Sequence, residues 1–241
     1  MALREQLAEK TDWVSVSRPA AVFRPAPLRL VTSERWAPRA TRAASVYPLA
    51  KRAIDVTLSL LLVPLLTPLF AIVALAIRFD SPGNAIFRQW RIGLDGQPFR
   101  IWKFRTLSVA EDGDDVAQVI KADPRVTRVG RFLRRTSIDE LPQLINVIRG
   151  EMSLVGPRPH AAAHDRHFAL RIDNYALRRN VKPGITGWAQ VNGSRGETAT
   201  LEEVRRRVGF DLWYVRQARF ALDLRILLAT PRVVLLGGNA W

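Results

Sequence analysis

The sequence predicts an α+β, mainly helical fold in a monotopic membrane protein. A small cytosolic domain is surrounded by a re-entrant helix-break-helix and by interfacial amphipathic helices. Three observations lead to this prediction. Residues 56–77 contain no charged side chain but include two prolines. Residues 85–91 and 98–104 are predicted to form short strands around the turn sequence Gly93-Leu94-Asp95-Gly96, which is typical of a β-hairpin. Apolar residues recur at helical spacing through 201–215.

The charge and composition of the chain restrict what it can bind and how it can react. Lys and Arg number 37 against 22 Asp and Glu, for a formal net charge of +15. Such charge points to nucleic acid, acidic lipid headgroups or a phosphorylated substrate. Hydrophobic residues make up 48% of the chain, which excludes a disordered basic protein. There is no cysteine, so thiolate nucleophiles, disulfides and cysteine-ligated zinc are excluded.

The first fifty residues, 1–50, are predicted to form a flexible basic extension. Prolines at 19, 25, 27, 38 and 48 interrupt any helix, and the basic residues follow no strong apolar period. The polar start of the chain lacks the apolar core of a signal peptide.

The uncharged run predicts a membrane segment at 51–80. At about 1.5 Å per residue the run is long enough to cross a bilayer as a helix. However, Pro64 and Pro68 interrupt its middle. Basic residues flank both ends, which places both ends on the cytoplasmic side. A re-entrant segment that breaks at Thr67-Pro68 meets both observations, with the Thr67 hydroxyl available to a backbone group freed at the break. A spanning helix and a buried helix of a soluble protein are the alternatives.

The remaining residues, 81–241, are predicted to form the cytosolic domain with its membrane-associated amphipathic helices. Residues 220–236 are apolar but contain two arginines and Pro231, which favours an interfacial amphipathic helix pair over a span. A loop with a short strand is expected at 182–193. Further helices are expected at 126–135, 138–148, 160–179 and 201–215.

Two adjacent carboxylates, Asp139 and Glu140, follow a run of arginines at positions 125, 128, 131, 134 and 135. The arginines can hold a phosphate, one carboxylate can attack it, and the other can hold a metal. A structural interpretation competes with this one. Ser137 and Glu140 have the spacing of a capping box, or Asp139 is itself the N-cap. Either version places a helix N-terminus here, whose free amides also favour phosphate.

The arginine run has two other interpretations: a solvated helix face or a nucleic-acid surface. Only Phe132 is interleaved with these arginines, so stacking on single strands is unsupported.

The three histidines, His160, His164 and His167, can share one helical face and form a metal site. A surface or headgroup-facing cluster is the competing interpretation, since Asp165 is the one carboxylate nearby.

Two basic segments suit phosphate binding. Gly156-Pro157-Arg158-Pro159 fixes an arginine between two rigid residues, which favours bidentate contacts. A tight turn with an incidental arginine is the alternative. Lys103-Phe104-Arg105-Thr106 ends a predicted strand with two alternating cations, and an ordinary exposed strand face is the alternative.

Taken together, these motifs make the chain from about Lys51 onward resemble the bacterial sugar transferase family, the polyprenyl-phosphate hexose-1-phosphate transferases. The resemblance rests on seven runs in order. In chain order, the seven runs are Lys51-Arg52-x-x-Asp55, Phe79-Asp80-Ser81-Pro82-Gly83, Phe87-Arg88-Gln89-x-Arg91-Ile92-Gly93, Lys103-Phe104-Arg105-Thr106, Arg134-Arg135-Thr136-Ser137-Ile138-Asp139-Glu140-Leu141-Pro142-Gln143, Met152-Ser153-Leu154-Val155-Gly156-Pro157-Arg158-Pro159 and Lys182-Pro183-Gly184-Ile185-Thr186-Gly187-Trp188-Ala189-Gln190-Val191-Asn192-Gly193.

The resemblance implies transfer of a sugar 1-phosphate from a UDP-sugar to undecaprenyl phosphate, with release of UMP. It implies that Asp139 is the nucleophile that forms an aspartyl-phosphosugar, and that Glu140, with Asp139, holds Mg²⁺. A direct displacement, in which Asp139 only binds metal, is the rival mechanism. The residues implied to bind substrate or phosphate are Lys103, Arg134, Arg158, His160 and Asp211.

The resemblance also implies where the protein acts and on which sugar. Arg158-Pro159-His160-Ala161 and Arg195-Gly196-Glu197-Thr198 resemble the branch that uses UDP-glucose or UDP-galactose to start exopolysaccharide synthesis, whereas another branch takes N-acetylated sugars. The expected location is the cytoplasmic face of the bacterial inner membrane, in contact with anionic lipid. A homodimer is left open and no nucleic acid is expected. A membrane-tethered nucleic-acid-binding protein is the remote alternative.

Overall fold

Helices dominate the described part of the chain and two small sheets lie between them, which confirms the mainly helical α+β prediction. The computed structural model describes residues 46–108, 119–120, 122–196, 198 and 200–236. The α-helices are α1 (Val46–Asp80), α2 (Arg128–Thr136), α3 (Leu144–Arg149), α4 (Ala162–Ala169), α5 (Trp188–Val191), α6 (Leu201–Gln217) and α7 (Phe220–Leu236). The strands are β1 (Ile86–Ile92), β2 (Pro98–Phe104), β3 (Ser153–Val155) and β4 (Gly184–Thr186). Short 3₁₀ helices cover Leu94–Gly96, Ile138–Gln143 and Tyr175–Asn180.

Helix α1 holds the apolar run and is long and apolar enough, over Tyr47–Asp80, to cross a membrane. It begins at Val46, ahead of the predicted start at residue 51, and the predicted extension up to residue 45 lies outside the described residues. Pro64 and Pro68 both lie inside the helix. The Thr67 hydroxyl donates to the carbonyl of Val63 at 2.9 Å. Pro68 has no amide hydrogen, so the carbonyl of Pro64 lacks its usual helical donor. The Thr67 hydroxyl bonds the carbonyl just before it, and a side-chain hydrogen bond of this kind often bends a helix.

One face of α1 is fastened to the rest of the protein at both ends. Near its start, the carboxylate of Asp55 accepts the Ser153 hydroxyl at 2.6 Å and the Leu154 amide at 3.1 Å. At its end, the Asp80 carboxylate accepts the amide of Val129 in the first turn of α2 at 3.0 Å. The opposite face carries exposed leucines and isoleucine, namely Leu58, Leu61, Leu65, Ile72 and Leu75.

Strands β1 and β2 form the predicted antiparallel hairpin. Asp95 and Gly96 in its turn have φ of 51° and 78°, the left-handed region that a tight hairpin turn uses. Gln89 pairs with Ile101, and both are buried. Because side chains alternate along a strand, Lys103 lies on the same inward face. The hairpin therefore delivers a cation to the interior.

Several predicted helices have different limits in the structure. The segment predicted as one helix at 138–148 starts as a 3₁₀ helix and becomes α3 only after Pro142, which lacks the amide for an α-helical bond. The helix predicted at 160–179 is divided into α4, which ends at Ala169, and the 3₁₀ helix Tyr175–Asn180. Asn174, with a φ of 60°, immediately precedes the second piece. The helix pair predicted for 220–236 is instead the single helix α7.

The core brings these elements together. Phe99 and Ile101 of the hairpin pack with Val147 of α3 and with Tyr214 and Ile226 of the two C-terminal helices. A second cluster joins α1 to the site region through the buried side chains Val73, Ile77, Phe104 and Leu133. The second sheet is a parallel pair, with Ser153 opposite Gly184 and Val155 opposite Thr186.

Candidate active site

The segment with the two carboxylates is a tight reversal rather than a capped α-helix. Helix α2 ends at Thr136, and its C-cap Ser137 has a left-handed φ of 57°. The Ser137 side chain makes no capping hydrogen bond to the next helix. Its carbonyl instead accepts the amide of Glu140 at 3.1 Å. Asp139 lies inside the 3₁₀ helix, not at an N-cap. Both capping interpretations are therefore wrong, because the left-handed residue already ends one helix and turns the chain into the next.

Glu140 is locked by two cations. Its Oε1 accepts Lys103 Nζ at 2.8 Å and Arg158 Nη2 at 2.5 Å, while its Oε2 accepts Arg158 Nη1 at 2.9 Å. The residue is only 8% exposed. Burial alone would raise the pKa of Glu140, but Arg158 and Lys103 hold that pKa well below its usual range. Glu140 is therefore an ionised and immobile carboxylate.

Asp139 differs from its neighbour, although it is also 8% exposed. Its carboxylate has no hydrogen-bond partner among the side chains and backbone groups of the described chain. Burial, followed by the negative charge of Glu140, raises the pKa of Asp139 to about 6, against the opposing pull of Lys103 and Arg134. The pair thus consists of one pinned and one available carboxylate.

Arg134 lies near enough to interact electrostatically with both Asp139 and Glu140. It donates to the Thr106 hydroxyl at 3.3 Å, and burial lowers its pKa. A cavity of about 430 Å³ opens beside it and is otherwise lined by Ile120, Ala122, Asp123, Pro124, Val126 and Arg131. The site therefore combines a cationic wall with an adjoining space.

The Gly156-Pro157-Arg158-Pro159 loop is packed tightly against the second sheet. A Cβ added at Gly184 would lie 2.0 Å from the amide nitrogen of Gly156, and one at Gly187 would lie 2.2 Å from its carbonyl oxygen. Close backbone packing at these glycines fixes the loop that presents Arg158.

His160 and Asp211, predicted to bind substrate, lie in a buried network behind Arg158. His160 Nδ1 is 2.6 Å from the Tyr175 hydroxyl, and burial, with help from Arg178, lowers the pKa of His160 well below its usual value. Asp211 is 1% exposed and accepts Arg178 Nε at 2.8 Å. The structure therefore does not bring these two side chains to the carboxylate pair.

The three histidines pack around one phenylalanine. The rings of His160, His164 and His167 lie 5.4, 6.2 and 5.7 Å from that of Phe168. Within the described ranges, no group of three His, Cys, Asp or Glu side chains can hold a metal ion. The cluster in this part of the chain is a packing feature rather than a ligand set.

Two residues around the site, Arg178 and Arg195, make contacts that the sequence did not predict. Arg178 contacts Asp211 and Arg158 across 33 and 20 residues of chain. Arg195 donates to the hydroxyl of Ser137 and, at 3.1 Å, to the carbonyl of Val233. Both contacts depend on the tertiary fold, and no local spacing predicts them.

The carboxylate pair has the chemistry of a Mg²⁺ site that is completed by substrate. Asp139 offers a carboxylate with no hydrogen bond in the described part of the chain, whereas Glu140 already accepts three hydrogen bonds and can add a metal only at the remaining lone pair of Oε2. Mg²⁺ commonly binds through one or two carboxylates together with substrate phosphates and water. The two residues therefore fit Mg²⁺, while the cations Lys103, Arg134 and Arg158 suit a diphosphate.

Comparison with known proteins identifies the family. The sequence profile described as bacterial sugar transferase matches residues 46–237. The chain is 53% identical over 193 residues to the UDP-glucose:undecaprenyl-phosphate glucose-1-phosphate transferase of Caulobacter vibrioides, covering 80% of this chain and 72% of that protein. The chain belongs to the bacterial sugar transferase family, as its motifs predicted.

Other relatives are longer proteins. The chain is 53% identical over 190 residues to the Escherichia coli (strain K12) protein of the same name, which covers 79% of this chain but only 41% of that protein. It is 37% identical over 195 residues to the UDP-N-acetylgalactosamine-undecaprenyl-phosphate N-acetylgalactosaminephosphotransferase of Aeromonas hydrophila, covering 81% of this chain and 46% of that protein. The chain thus spans about two fifths of the length of the first of these relatives.

Proposed function

We propose that the chain transfers a hexose 1-phosphate from a UDP-sugar to undecaprenyl phosphate through a covalent intermediate on Asp139. The observation that carries the proposal is the asymmetry of the carboxylate pair. Glu140 is held by Lys103 and Arg158, whereas the buried carboxylate of Asp139, near the same cations, has no hydrogen-bond partner among the residues that the structure describes. A nucleophile needs that availability, and the cations suit an incoming diphosphate.

The proposed reaction has two displacements at one phosphorus. An oxygen of Asp139 attacks the sugar-bearing phosphorus of the donor, and the bond from that phosphorus to the bridging oxygen breaks. UMP leaves with the electron pair. A phosphate oxygen of the lipid then attacks the same phosphorus, the bond to Asp139 breaks, and the carboxylate is regenerated.

The cations and carboxylates have separate parts in this scheme. Lys103, Arg134 and Arg158 neutralise the phosphoryl oxygens as charge develops. Bound Mg²⁺ would supply further neutralisation of the diphosphate, held by Glu140 and Asp139. Two steps at one site allow a soluble donor and a membrane-bound acceptor to use it in turn.

The test is a reaction with donor alone. Stoichiometric UMP release without acceptor, and a phosphosugar adduct on Asp139 by mass spectrometry, are expected. Asp139→Asn should abolish both. Strict dependence of UMP release on lipid acceptor would favour the rival direct displacement.

The donor sugar is proposed to be glucose, since two of the relatives compared above are named for UDP-glucose. The alternative is an N-acetylated sugar, as in the name of the Aeromonas relative. UMP release should be measured with UDP-glucose, UDP-galactose, UDP-N-acetylglucosamine and UDP-N-acetylgalactosamine. Preference for the first, with product formed on undecaprenyl phosphate, is expected. This product would begin exopolysaccharide synthesis.

We further propose that α1 is re-entrant and enters the inner membrane from the cytoplasmic side. Its ends are bonded to one domain, through Asp55 and Asp80. A straight span would put these ends on opposite sides of about 30 Å of hydrocarbon. Pro64, Pro68 and the Thr67 hydroxyl supply a place to bend.

Topology can be tested with single cysteines in this cysteine-free chain. Ala50→Cys and Arg78→Cys are exposed positions at the two ends of α1. Both should react with a membrane-impermeant thiol reagent from the cytoplasmic side only, while Leu65→Cys near the bend should be protected. Labelling of either end from the periplasm would overturn the re-entrant arrangement.

A further inference from the structure

Arg178 is a buried cation that the reaction scheme above does not use. It is 5% exposed and lies in the 3₁₀ helix Tyr175–Asn180. Its Nε and Nη2 both lie 2.8 Å from one carboxylate oxygen of Asp211 in α6. Nη1 donates to the Tyr175 hydroxyl at 3.0 Å. The guanidinium is therefore oriented from two directions.

The same guanidinium reaches the loop that carries Arg158. Arg178 Nη2 donates to the backbone carbonyl of Arg158 at 2.7 Å. The flanking carbonyls are also held, since that of Pro157 accepts the amide of Gly184 at 3.0 Å and that of Pro159 accepts Arg91 Nη1 at 3.0 Å. Proline has no amide hydrogen, so this loop can be held at Pro157 and Pro159 only through their carbonyls. Arg178 supplies the charged anchor at the central residue.

The anchored residue is the one that grips Glu140. Arg158 places both of its terminal nitrogens on the two oxygens of that carboxylate, so a small shift of its backbone changes both contacts. Misplacing a group by about 1 Å can lower a rate about 100-fold. A buried ion pair, by contrast, is weak support for stability when compared with apolar packing. Because Arg178 bonds the backbone of Arg158, its contacts favour a role in placing Arg158 over a role in stability alone.

We propose that Arg178, oriented by Asp211, is a positioning residue that holds the backbone of Arg158 so that its guanidinium meets Glu140. The inference rests on the proposed phosphosugar transfer. It also gives Asp211, expected from the sequence to bind substrate, an indirect role through Arg178.

A double-mutant cycle on the full-length chain in nanodiscs tests this role. Arg178→Gln should lower kcat for UMP release about 10- to 100-fold, with KM for UDP-sugar changed less than about threefold. In an Arg158→Ala background the same substitution should lower kcat less than about threefold, because the residue that Arg178 positions is already missing. Equal losses in the two backgrounds would overturn the proposal.

A matched control separates positioning from folding. Asp223 is also buried, at 6% exposure, and its carboxylate accepts the Tyr214 hydroxyl at 2.7 Å and Lys51 Nζ at 2.7 Å. None of the described contacts joins it to the carboxylate pair. Asp223→Asn should lower the Tm, and any loss of kcat should be the same factor with and without Arg158→Ala.

Arg178→Lys covers the case in which the glutamine variant does not fold. A lysine keeps the charge opposite Asp211 but lacks the planar fork that also reaches the Arg158 carbonyl. Its kcat should fall about tenfold while its Tm stays near that of the wild type. Wild-type kcat in this variant would contradict the positioning role.

A tenfold rise in KM for UDP-sugar in Asp211→Asn with unchanged kcat would instead indicate direct substrate binding. Absence of UMP release by the wild type would reject the proposed function itself.

Discussion

Arg158 holds both oxygens of Glu140, at 2.9 and 2.5 Å, and thereby separates the roles of two carboxylates that are adjacent in the sequence. The bidentate contact uses the planar fork of arginine, and Lys103 occupies the remaining space at Oε1. Asp139, one residue earlier, lies near the same cations and makes no side-chain hydrogen bond with any described residue. The pair is therefore asymmetric before any substrate arrives.

Replacement of the fork by a single charge should be costly. Arg158→Lys keeps the charge but loses one of the two parallel bonds. We expect kcat for UMP release to fall about 100-fold, a loss of about 2.7 kcal/mol in transition-state stabilisation. Steady-state assays of UMP release will measure this. Arg135→Lys, at an exposed position on α2, is the control and should leave kcat within about twofold. A similar loss in both variants would contradict the specific role of the bidentate contact.

The pKa of Asp139 predicts how its ionisation depends on pH. Burial and Glu140 raise that pKa to about 6. In metal-free protein the carboxylate should therefore be mostly protonated at pH 5 and mostly ionised at pH 7. Carbon-13 NMR of labelled aspartate carboxyl groups can follow this titration, with Asp139→Asn identifying the signal. An apparent pKa near 4 would show that burial does not control this group.

Neighbouring charges should move the same pKa in opposite directions. Glu140→Gln removes the negative charge that raises the pKa of Asp139, so the pKa should fall. Lys103→Met removes a cation that lowers it, so the pKa should rise. The same NMR titration measures both variants. Shifts in one common direction would show that rearrangement of the site, rather than charge, dominates.

A methyl group at Gly184 should disrupt the loop that presents Arg158. The added Cβ would lie 2.0 Å from the Gly156 amide nitrogen and 2.4 Å from the Thr186 carbonyl oxygen, and neither backbone atom can move freely. Gly184→Ala should lower the free energy of unfolding by about 3 kcal/mol and reduce activity strongly. Thermal unfolding and UMP release are the measurements.

Gly93→Ala is the matched control for that substitution. Its Cβ would lie 3.2 Å from a ring carbon of Phe99, which can rotate, and 3.3 Å from the carbonyl of Gln97. We expect a loss below about 1.5 kcal/mol. If Gly93→Ala is as harmful as Gly184→Ala, close backbone packing at the loop is not the reason.

The sequence predicted those features that depend on local pattern. The hairpin followed from two short predicted strands around Gly93-Leu94-Asp95-Gly96. The amphipathic helix predicted at 201–215 followed from its apolar spacing, and the structure has it at Leu201–Gln217. The carboxylate pair was recognisable because Asp139 and Glu140 are adjacent. Each of these signals lies within a few residues of chain.

Features that depend on distant contacts were missed or mistaken. The capping box at Ser137 has the right residue types, but a left-handed φ overrides its local preference. The substrate-binding prediction for Asp211 did not include its contact with Arg178, which is 33 residues away in the chain. No sequence spacing indicates that Arg195 lies between Ser137 and Val233.

The left-handed conformation of Ser137 gives a last prediction. A left-handed non-glycine residue carries a strain of about 1–2 kcal/mol that glycine avoids. Ser137→Ala and Ser137→Gly both lose the hydroxyl contact to Arg195, so their difference isolates the backbone. We expect the glycine variant to be more stable than the alanine variant by about 1 kcal/mol in the free energy of unfolding. Ser108 is the control, since its hydroxyl also makes one bond, to the Arg125 carbonyl at 3.3 Å, but its φ is not positive. There the order should reverse, with alanine the more stable by about 0.5 kcal/mol, because glycine loses more entropy on folding. The same order at both positions would mean that the turn before Asp139 is not set by the left-handed residue.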